Sequence, residues 1–523
     1  MPFLLPIQHV RSHNNFEHML CANIEEKLEQ LDMVDLEWKS KTMISWQLSS
    51  DSKLRMTIPE GTSFKPVVCA SPVVARESAC SDYEEYLRLP ELKALWSVRD
   101  FPEWRNESVL RPALNGFEIT FRLVSTALSD PRSYVDRSQW RRRLESIAAS
   151  QIGIVSQLVE AEADDPATCG TAPIMDLRSC GGMIPGREGS HAEVWKATGE
   201  VVTVVKRISE ESLLPSLAAW RRSGDVAQRI HSSIECQMGR CPYTLGIGEP
   251  NLAGKPNLNY DAVCRPSELA ALKKSPSEAY SLNNSENQTV YSIHQILECW
   301  IEVGKVILKS FVVEKIETKK YKEASNGCYL VEQIWKLLSE IEDLLLLSDT
   351  DDFLRLKARL LWSPLDASPF CFRSRALVEL TKSCKELRHK VPEILEVEAD
   401  PKGGPRVQEA AMRLYREAKC KENDIQKLHL LQGLQGIEKA IKGFFYGYKQ
   451  LLSILLGSLE ANGNRTVSVG GSDGSDRGGH LAQMYLEPTY FPSLDAAKTF
   501  VGDSWMKEYG GAACVRRRKK KHM

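Results

Sequence analysis

The chain has 523 residues, 42% hydrophobic and 26% charged, with a formal net charge of −1. This is a globular composition with length for more than one domain, which excludes bulk disorder. Setting aside the six basic residues Arg516, Arg517, Arg518, Lys519, Lys520 and Lys521 leaves a body of −7, which argues against nucleic-acid binding because phosphates must be neutralised by a basic face.

The 14 cysteines form no CxxC pair, and the nearest two, Cys236 and Cys241, lack a second pair at zinc-site spacing. No charged leader opens the chain, so the expected setting is a reducing compartment: cytoplasmic, with the nucleus as a second location. No run reaches the roughly 18 apolar residues of a membrane span.

In chain order, residues 40–78 mix Ser, Thr and Pro with few periodic apolar positions and read as a lead-in. Leu114, Phe117, Phe121, Val124 and Leu128 then recur at spacings 3-4-3-4, which predicts an amphipathic helix. Asp130-Pro131 ends it, since proline disfavours helical geometry in the residue before it. Trp140, Leu144, Ile147, Ile154 and Leu158 predict a second helix, and Arg141, Arg142 and Arg143 at its start, where they oppose the helix dipole, suit a solvated face or contacts with an acidic partner.

Residues 166–192, rich in Pro, Gly, Ser and Asp, read as a linker. VVTVV, within Glu193–Ile208, is the one strand or hairpin signal. Residues 239–290 carry turn formers too densely for helix, so the expectation is a long irregular passage, either disordered or laid over a helical core and functional.

Beyond residue 291 helical seams dominate: Ile293, Leu297, Trp300, Ile307 and Phe311 with Gly304 inside; Leu330, Ile334, Leu337, Ile341 and Leu344; Leu377, Leu380, Cys384 and Leu387; and Val407, Ala411, Leu414 and Ala418. Gly433, Gly436, Ala440, Gly443 and Gly447 form a small-residue stripe at spacings 3-4-3-4. Each helical glycine costs about 0.5–1 kcal/mol relative to alanine, so the stripe predicts close helix–helix packing, with a flat-ligand cavity or a kink as alternatives. The loop 468–479 lacks the GK[ST] of a phosphate loop, and no nucleophile, metal or cofactor signature assembles, so no catalytic residue and no cofactor are expected. His294 and His429 sit in helical segments as ordinary core or surface residues.

Several strings resemble the plant nematode-resistance HSPRO-like family: ACSDYEEYLRLPELKALW, RPALNGFEITFRLVSTALSDP, CPYTLGIGEPNLAGKPNLNYDAVC, HQILECWIEVGKVIL, LQGLQGIEKAIKGFF and EPTYFPSLDAAKTFVG. The resemblance spans most of residues 33–505. It implies an N-terminal extension at 1–32, an N-terminal helical region at 33–165, the linker, a C-terminal helical region at 193–505 and a basic tail at 506–523. It also implies a non-catalytic regulator of basal defence, acting through protein contacts that include a regulatory subunit of the sucrose-non-fermenting-related kinase complex, with residues 239–290 as the candidate contact surface. In that context Val204, Lys206, Ser209 and Leu213 resemble the kinase's preferred pattern and make Ser209 an expected phosphosite. Arg516–Lys521 then reads as a run for nuclear import or attraction to anionic lipid.

A looser resemblance, in the Tyr83-x-x-Tyr86-Leu87 opening and the long helix before a glycine-rich loop, is to the helical tryptophan/indoleamine dioxygenase fold. It implies a mainly α, multi-helix bundle with long irregular loops and at most one small hairpin. The alternative function it brings is a haem- or small-ligand-binding protein with lost or residual oxidation chemistry. The family's haem ligand is a histidine, and Tyr448-Lys449-Gln450-Leu451-Leu452 supplies none there.

Overall fold

The computed structural model describes residues 82–130, 136–163, 170–175, 192–195, 201–204, 209–272, 285–348, 350, 354, 374–398, 405–417, 421–457 and 487–502. The extension at 1–32, the lead-in, most of the linker, the loop 468–479 and the basic run Arg516–Lys521 lie outside them. So does Ala418.

Two short helices, α1 (Asp82–Tyr86) and α2 (Leu89–Ser97), open the described chain. Arg88 joins them in the left-handed region at φ 53°, and Pro90 sits in the first turn of α2, where its missing N–H is harmless. Helix α3 (Glu107–Ser129) carries the first apolar seam and ends at the expected Asp130. Every member of that seam is buried. Helix α4 (Arg137–Ala163) buries Trp140, Leu144, Ile147, Ile154 and Leu158 against it.

Helices α5 (Leu213–Leu217) and α6 (Gly224–Gln237) follow, with α6 packed on α4 and Arg229 bonded to Glu145 at 2.9 Å. Next come α7 (Tyr260–Cys264) and α8 (Pro266–Ala271), inside the passage expected to be free of helix. Local chemistry explains them. The Asn259 side chain caps α7 by accepting from the Ala262 N–H at 3.4 Å, Arg265 breaks the chain in a left-handed conformation, and Pro266 restarts it.

Helix α9 (Ser285–Ile307) lies against α3. Gly116 makes that contact close: a Cβ there would stand 2.9 Å from the Trp300 indole nitrogen. Helix α9 widens into a π-helical turn, Leu308–Val313, before α10 (Glu314–Glu317). The chain then reverses into α11 (Tyr321–Glu342), where a Cβ on Gly327 would come within 2.5 Å of the Phe311 carbonyl oxygen. Helices α12 (Arg375–Glu386), α13 (Val391–Ile394) and α14 (Pro405–Glu417) lead to α15 (Glu422–Leu456), which lies along α11. A last helical segment, 492–502, buries Leu494 and Ala497. One apolar cluster joins Tyr83 to Ala497, and Ser78–Met523 forms a single unit, so helices on either side of residues 166–192 share a core.

The strands differ from expectation in one respect. β2 (Ala192–Trp195) and β3 (Val201–Val204) form the antiparallel hairpin. A second ladder pairs β1 (Ile174–Met175) antiparallel with β4 (Asn257–Leu258), so the limit of one small hairpin undercounts the pairing. Two-residue strands joined across a long stretch of chain leave no alternation to read.

Candidate functional site

Helix α3 carries a second stripe that the apolar seam hides. Glu107, Arg111, Asn115, Glu118 and Arg122 recur at spacings 4-4-3-4, and each is no more than 3% exposed. Together they hold the chain at residues 100–101 and 212–213 and the short helices α7 and α8. Glu107 accepts from Arg111 at 2.5 Å and from the Asp100 N–H at 3.0 Å. Arg111 donates to the Val263 carbonyl at 2.9 Å, and Asn115 to the Cys264 carbonyl at 2.7 Å. Arg122 donates to the Leu269 carbonyl at 2.8 Å.

Glu118 is the hub. Its carboxylate accepts from the Ser212 hydroxyl at 2.7 Å, the Leu213 N–H at 2.6 Å and the Tyr260 hydroxyl at 3.0 Å. Burial raises its pKa above the usual carboxylate range, while these three donors and the Arg122 charge pull it back. A buried carboxylate with three directional donors fixes the chain segments that supply them, because a buried donor left without its acceptor is costly.

The passage beyond α6 is held in the same manner. Glu162 on α4 accepts from the Trp104 indole and the Tyr243 hydroxyl, both at 2.8 Å, and burial raises its pKa. Glu249 accepts from the Thr244 hydroxyl at 2.7 Å and from the N–H groups of Gly246 at 2.6 Å and Ile247 at 2.7 Å. Gly246 has φ +76°, and a Cβ there would meet Asn257 at 2.9 Å, so the turn requires glycine. The Lys255 ammonium donates to the carbonyls of Met238, Gly239 and Cys241 at 2.8, 2.6 and 2.7 Å. The passage is therefore laid over the helical core, as one of the two expectations had it. Between Cys241 and Cys264 only Leu252 and Ala253, at the tip of one turn, are exposed; Gly239, Arg240, Ser267, Glu268 and Ala271 are exposed on either side, and 273–284 lie outside the described residues.

A third polar junction joins the start of the described chain to α9 and the residue before α12. Glu298 on α9 accepts from the Tyr83 hydroxyl of α1 at 3.1 Å and faces Ser374 before α12. Burial pushes its pKa up to about 7, opposed by hydrogen bonds from Ser374 and Tyr83. One turn earlier, burial lowers His294 to about 4, and its Nδ1 lies 2.8 Å from the Val290 carbonyl. Among the described residues, no group of three or more His, Cys, Asp or Glu could hold a metal ion, and no helix is long and apolar enough to cross a membrane.

The expected site residues scatter. The glycine stripe divides: a Cβ on Gly433 would meet the Cys328 Cβ at 2.9 Å and one on Gly436 the Glu332 carboxylate at 2.6 Å, so these two form a close seam with α11. Ala440 is half-buried. Gly443 and Gly447 are exposed, with no described atom within 4 Å of a built Cβ, so the expected close packing does not extend to them. Gly443 and Gly447 continue the same helical stripe as Gly433 and Gly436, but α11 covers only the earlier part of it and no described residue covers the rest. Ser209 is buried, donating to Asp261 and accepting from the Ser212 N–H at 3.0 Å, so a kinase reaches it only after this turn opens. Arg141 and Arg143 lie near acids of this same chain, Asp225 at 3.8 Å and Asp343 at 4.0 Å.

Two family models cover nearly all of the chain beyond residue 32. The Hs1pro-1 N-terminus matches residues 33–235 and the Hs1pro-1 protein C-terminus matches 238–507. The chain belongs to the Hs1pro-1 family. Among curated relatives of this family, nematode resistance protein-like HSPRO2 of Arabidopsis thaliana is 47% identical over 479 residues, covering 90% of this chain and 99% of its own. Nematode resistance protein-like HSPRO1 of the same plant is 47% identical over 475 residues, with the same coverage. No solved structure matches. The Hs1pro-1 assignment thus rests on sequence, and the mainly helical architecture on the fold described above.

Proposed function

We propose that this chain is a regulatory protein of plant defence against nematodes and other pathogens, acting through protein contacts rather than catalysis. The observation that carries the defence role is the 47% identity to two Arabidopsis relatives named for nematode resistance, over almost their whole length. The contact role draws on the site chemistry. Glu118, Glu162, Glu249 and Glu298, the buried carboxylates that would be natural acids or bases, each hold hydroxyls or N–H groups of the chain itself. Such groups position a scaffold. The partner implied by the family resemblance is a regulatory subunit of the sucrose-non-fermenting-related kinase complex, met in the cytoplasm or nucleus.

Two experiments test this reading. Plants lacking the protein should support more cyst-nematode development than plants complemented with it; equal infection removes the defence role. Calorimetric titration of the purified protein with the kinase regulatory subunit should show saturable binding; no heat at micromolar concentrations removes that partner. A Soret band on adding haem would favour the dioxygenase-like alternative instead.

A further inference from the structure

The chain between α5 and α6 holds an exposed aromatic–basic knuckle. Ala218, Ala219, Trp220, Arg221 and Arg222 are five consecutive exposed residues, and Trp220 is 47% exposed. Tyr446 and Phe500 are as exposed, and a single exposed aromatic is ordinary; what sets Trp220 apart is the pair of exposed arginines that follows it.

The knuckle is not loose. Leu214 and Leu217 before it, and Ser223 and Val226 after it, are buried. The Trp220 N–H donates to the Leu217 carbonyl at 3.1 Å, and the Trp220 carbonyl accepts from Gly224 at 2.9 Å. The Ser223 hydroxyl closes the turn on the Leu217 carbonyl at 3.0 Å. From α4, Arg141 donates to the Arg222 carbonyl at 2.8 Å, which fixes the tip against the basic start of that helix. A surface already ordered in the free protein loses little conformational entropy on binding.

Its charge is unbalanced. Arg141 is drawn to Asp225 at 3.8 Å and Arg229 to Glu145 at 2.9 Å. Arg221 and Arg222 are exposed and form no ion pair with a described residue, and Arg142, also exposed, has Asp136 as an electrostatic neighbour. The knuckle thus presents one indole and two exposed arginines on consecutive residues, tied to the basic start of α4, on a body that is net negative outside the tail. Tryptophan and arginine are the side chains that most often dominate binding energy at protein interfaces.

We propose that this knuckle docks an acidic peptide segment of a partner protein, whose carboxylates meet Arg142, Arg221 and Arg222 while an apolar side chain covers Trp220. Carboxylates match the fork of the guanidinium group. A lipid surface or a nucleic acid suits the patch less, because either would bring an extended negative field against a negative body. This deepens the protein-contact reading and rests on it.

The test pans a random 12-residue peptide library against the full-length protein, then measures labelled winners by fluorescence anisotropy. Winners should carry Asp and Glu around one apolar residue, and should bind more weakly at 300 mM than at 50 mM salt. Trp220→Ala and the pair Arg221→Glu, Arg222→Glu should each weaken binding by about tenfold or more. Arg142→Glu, on a different element, should weaken it several-fold, with circular dichroism unchanged throughout. The proposal is overturned by winners without acidic residues, by no winners, or by variants that bind as the parent does. It is overturned equally if phosphatidylserine vesicles or poly(U) RNA bind through these residues and the peptides do not. Those results leave the infection assay untouched, so a failure here is distinct from a failure of the defence role.

Discussion

Helices α3 and α15 both run through the core, yet they organise it by opposite means. Helix α3 is buried on nearly every side, its apolar seam meeting other helices and its polar stripe gripping the chain at 100–101, 212–213 and 260–269. Helix α15 is longer and half wet: it lays Leu430, Leu434, Ile437, Ile441 and Phe444 inward and leaves Gly443, Tyr446 and Ile454 outward. Apolar contact is non-directional and aligns one helix with another. Directional bonds from buried polar groups are what fix irregular chain in one path.

The sharpest way to break that contrast is Glu118→Ala. It strips acceptors from Ser212, Leu213 and Tyr260 at once and leaves Arg122 without its neighbouring carboxylate. Loss of one partner of a buried ionic network costs about 3–5 kcal/mol, so chemical denaturation should show a stability fall of that size.

Glu298→Gln probes a carboxyl at the junction of α1, α9 and α12, near Glu84, Lys93 and Arg375. Its folded pKa of about 7 lies above the ordinary 4.5, so the folded state binds the proton more tightly. That contribution is full below pH 4.5, declines as pH rises to about 7, and is flat above. The glutamine variant lacks this slope and at pH 8 should be more stable than the parent by a few kcal/mol in order of magnitude. Equal midpoints at pH 8 and pH 5 for the two proteins would contradict the assignment.

The two halves of the glycine stripe should respond with opposite sign. Gly433→Ala drives a methyl group against the Cys328 Cβ and should cost about 1–2 kcal/mol through overpacking. Gly443→Ala faces open space and should raise stability by about 0.5–1 kcal/mol from helix propensity alone. Thermal midpoints moving the same way in both variants would mean that the stripe acts as one surface.

Much of the helical architecture was legible in the sequence. Seams such as Leu114–Leu128 and Leu330–Leu344 follow from a 3.6-residue period, and they lie buried in α3 and across α11 into the turn after it. The VVTVV segment gave the hairpin for a similar reason. The polar stripe of α3 was written at the same spacing, but charged residues at helical intervals normally mark a wet face. Only the apolar seam and the polar stripe together reveal a helix buried all round. The packing of residues 241–264 was not legible, because Glu249 and Lys255 act on backbone groups through tertiary geometry that leaves no periodic trace. The knuckle at Trp220 escaped for a related reason: burial of its flanks, not its own composition, is what holds it out.

Lys255 gives the loop at 238–255 an unusual independence. An ammonium seated among three carbonyl oxygens fills the role that a monovalent metal ion plays in many protein turns. Here the polypeptide brings its own counter-ion, covalently tethered, so the order of this loop should not vary with cellular potassium or with chelators. Its vulnerability is chemical instead: acetylation of that one amine would discharge the cation and leave three carbonyls facing an amide that cannot satisfy them.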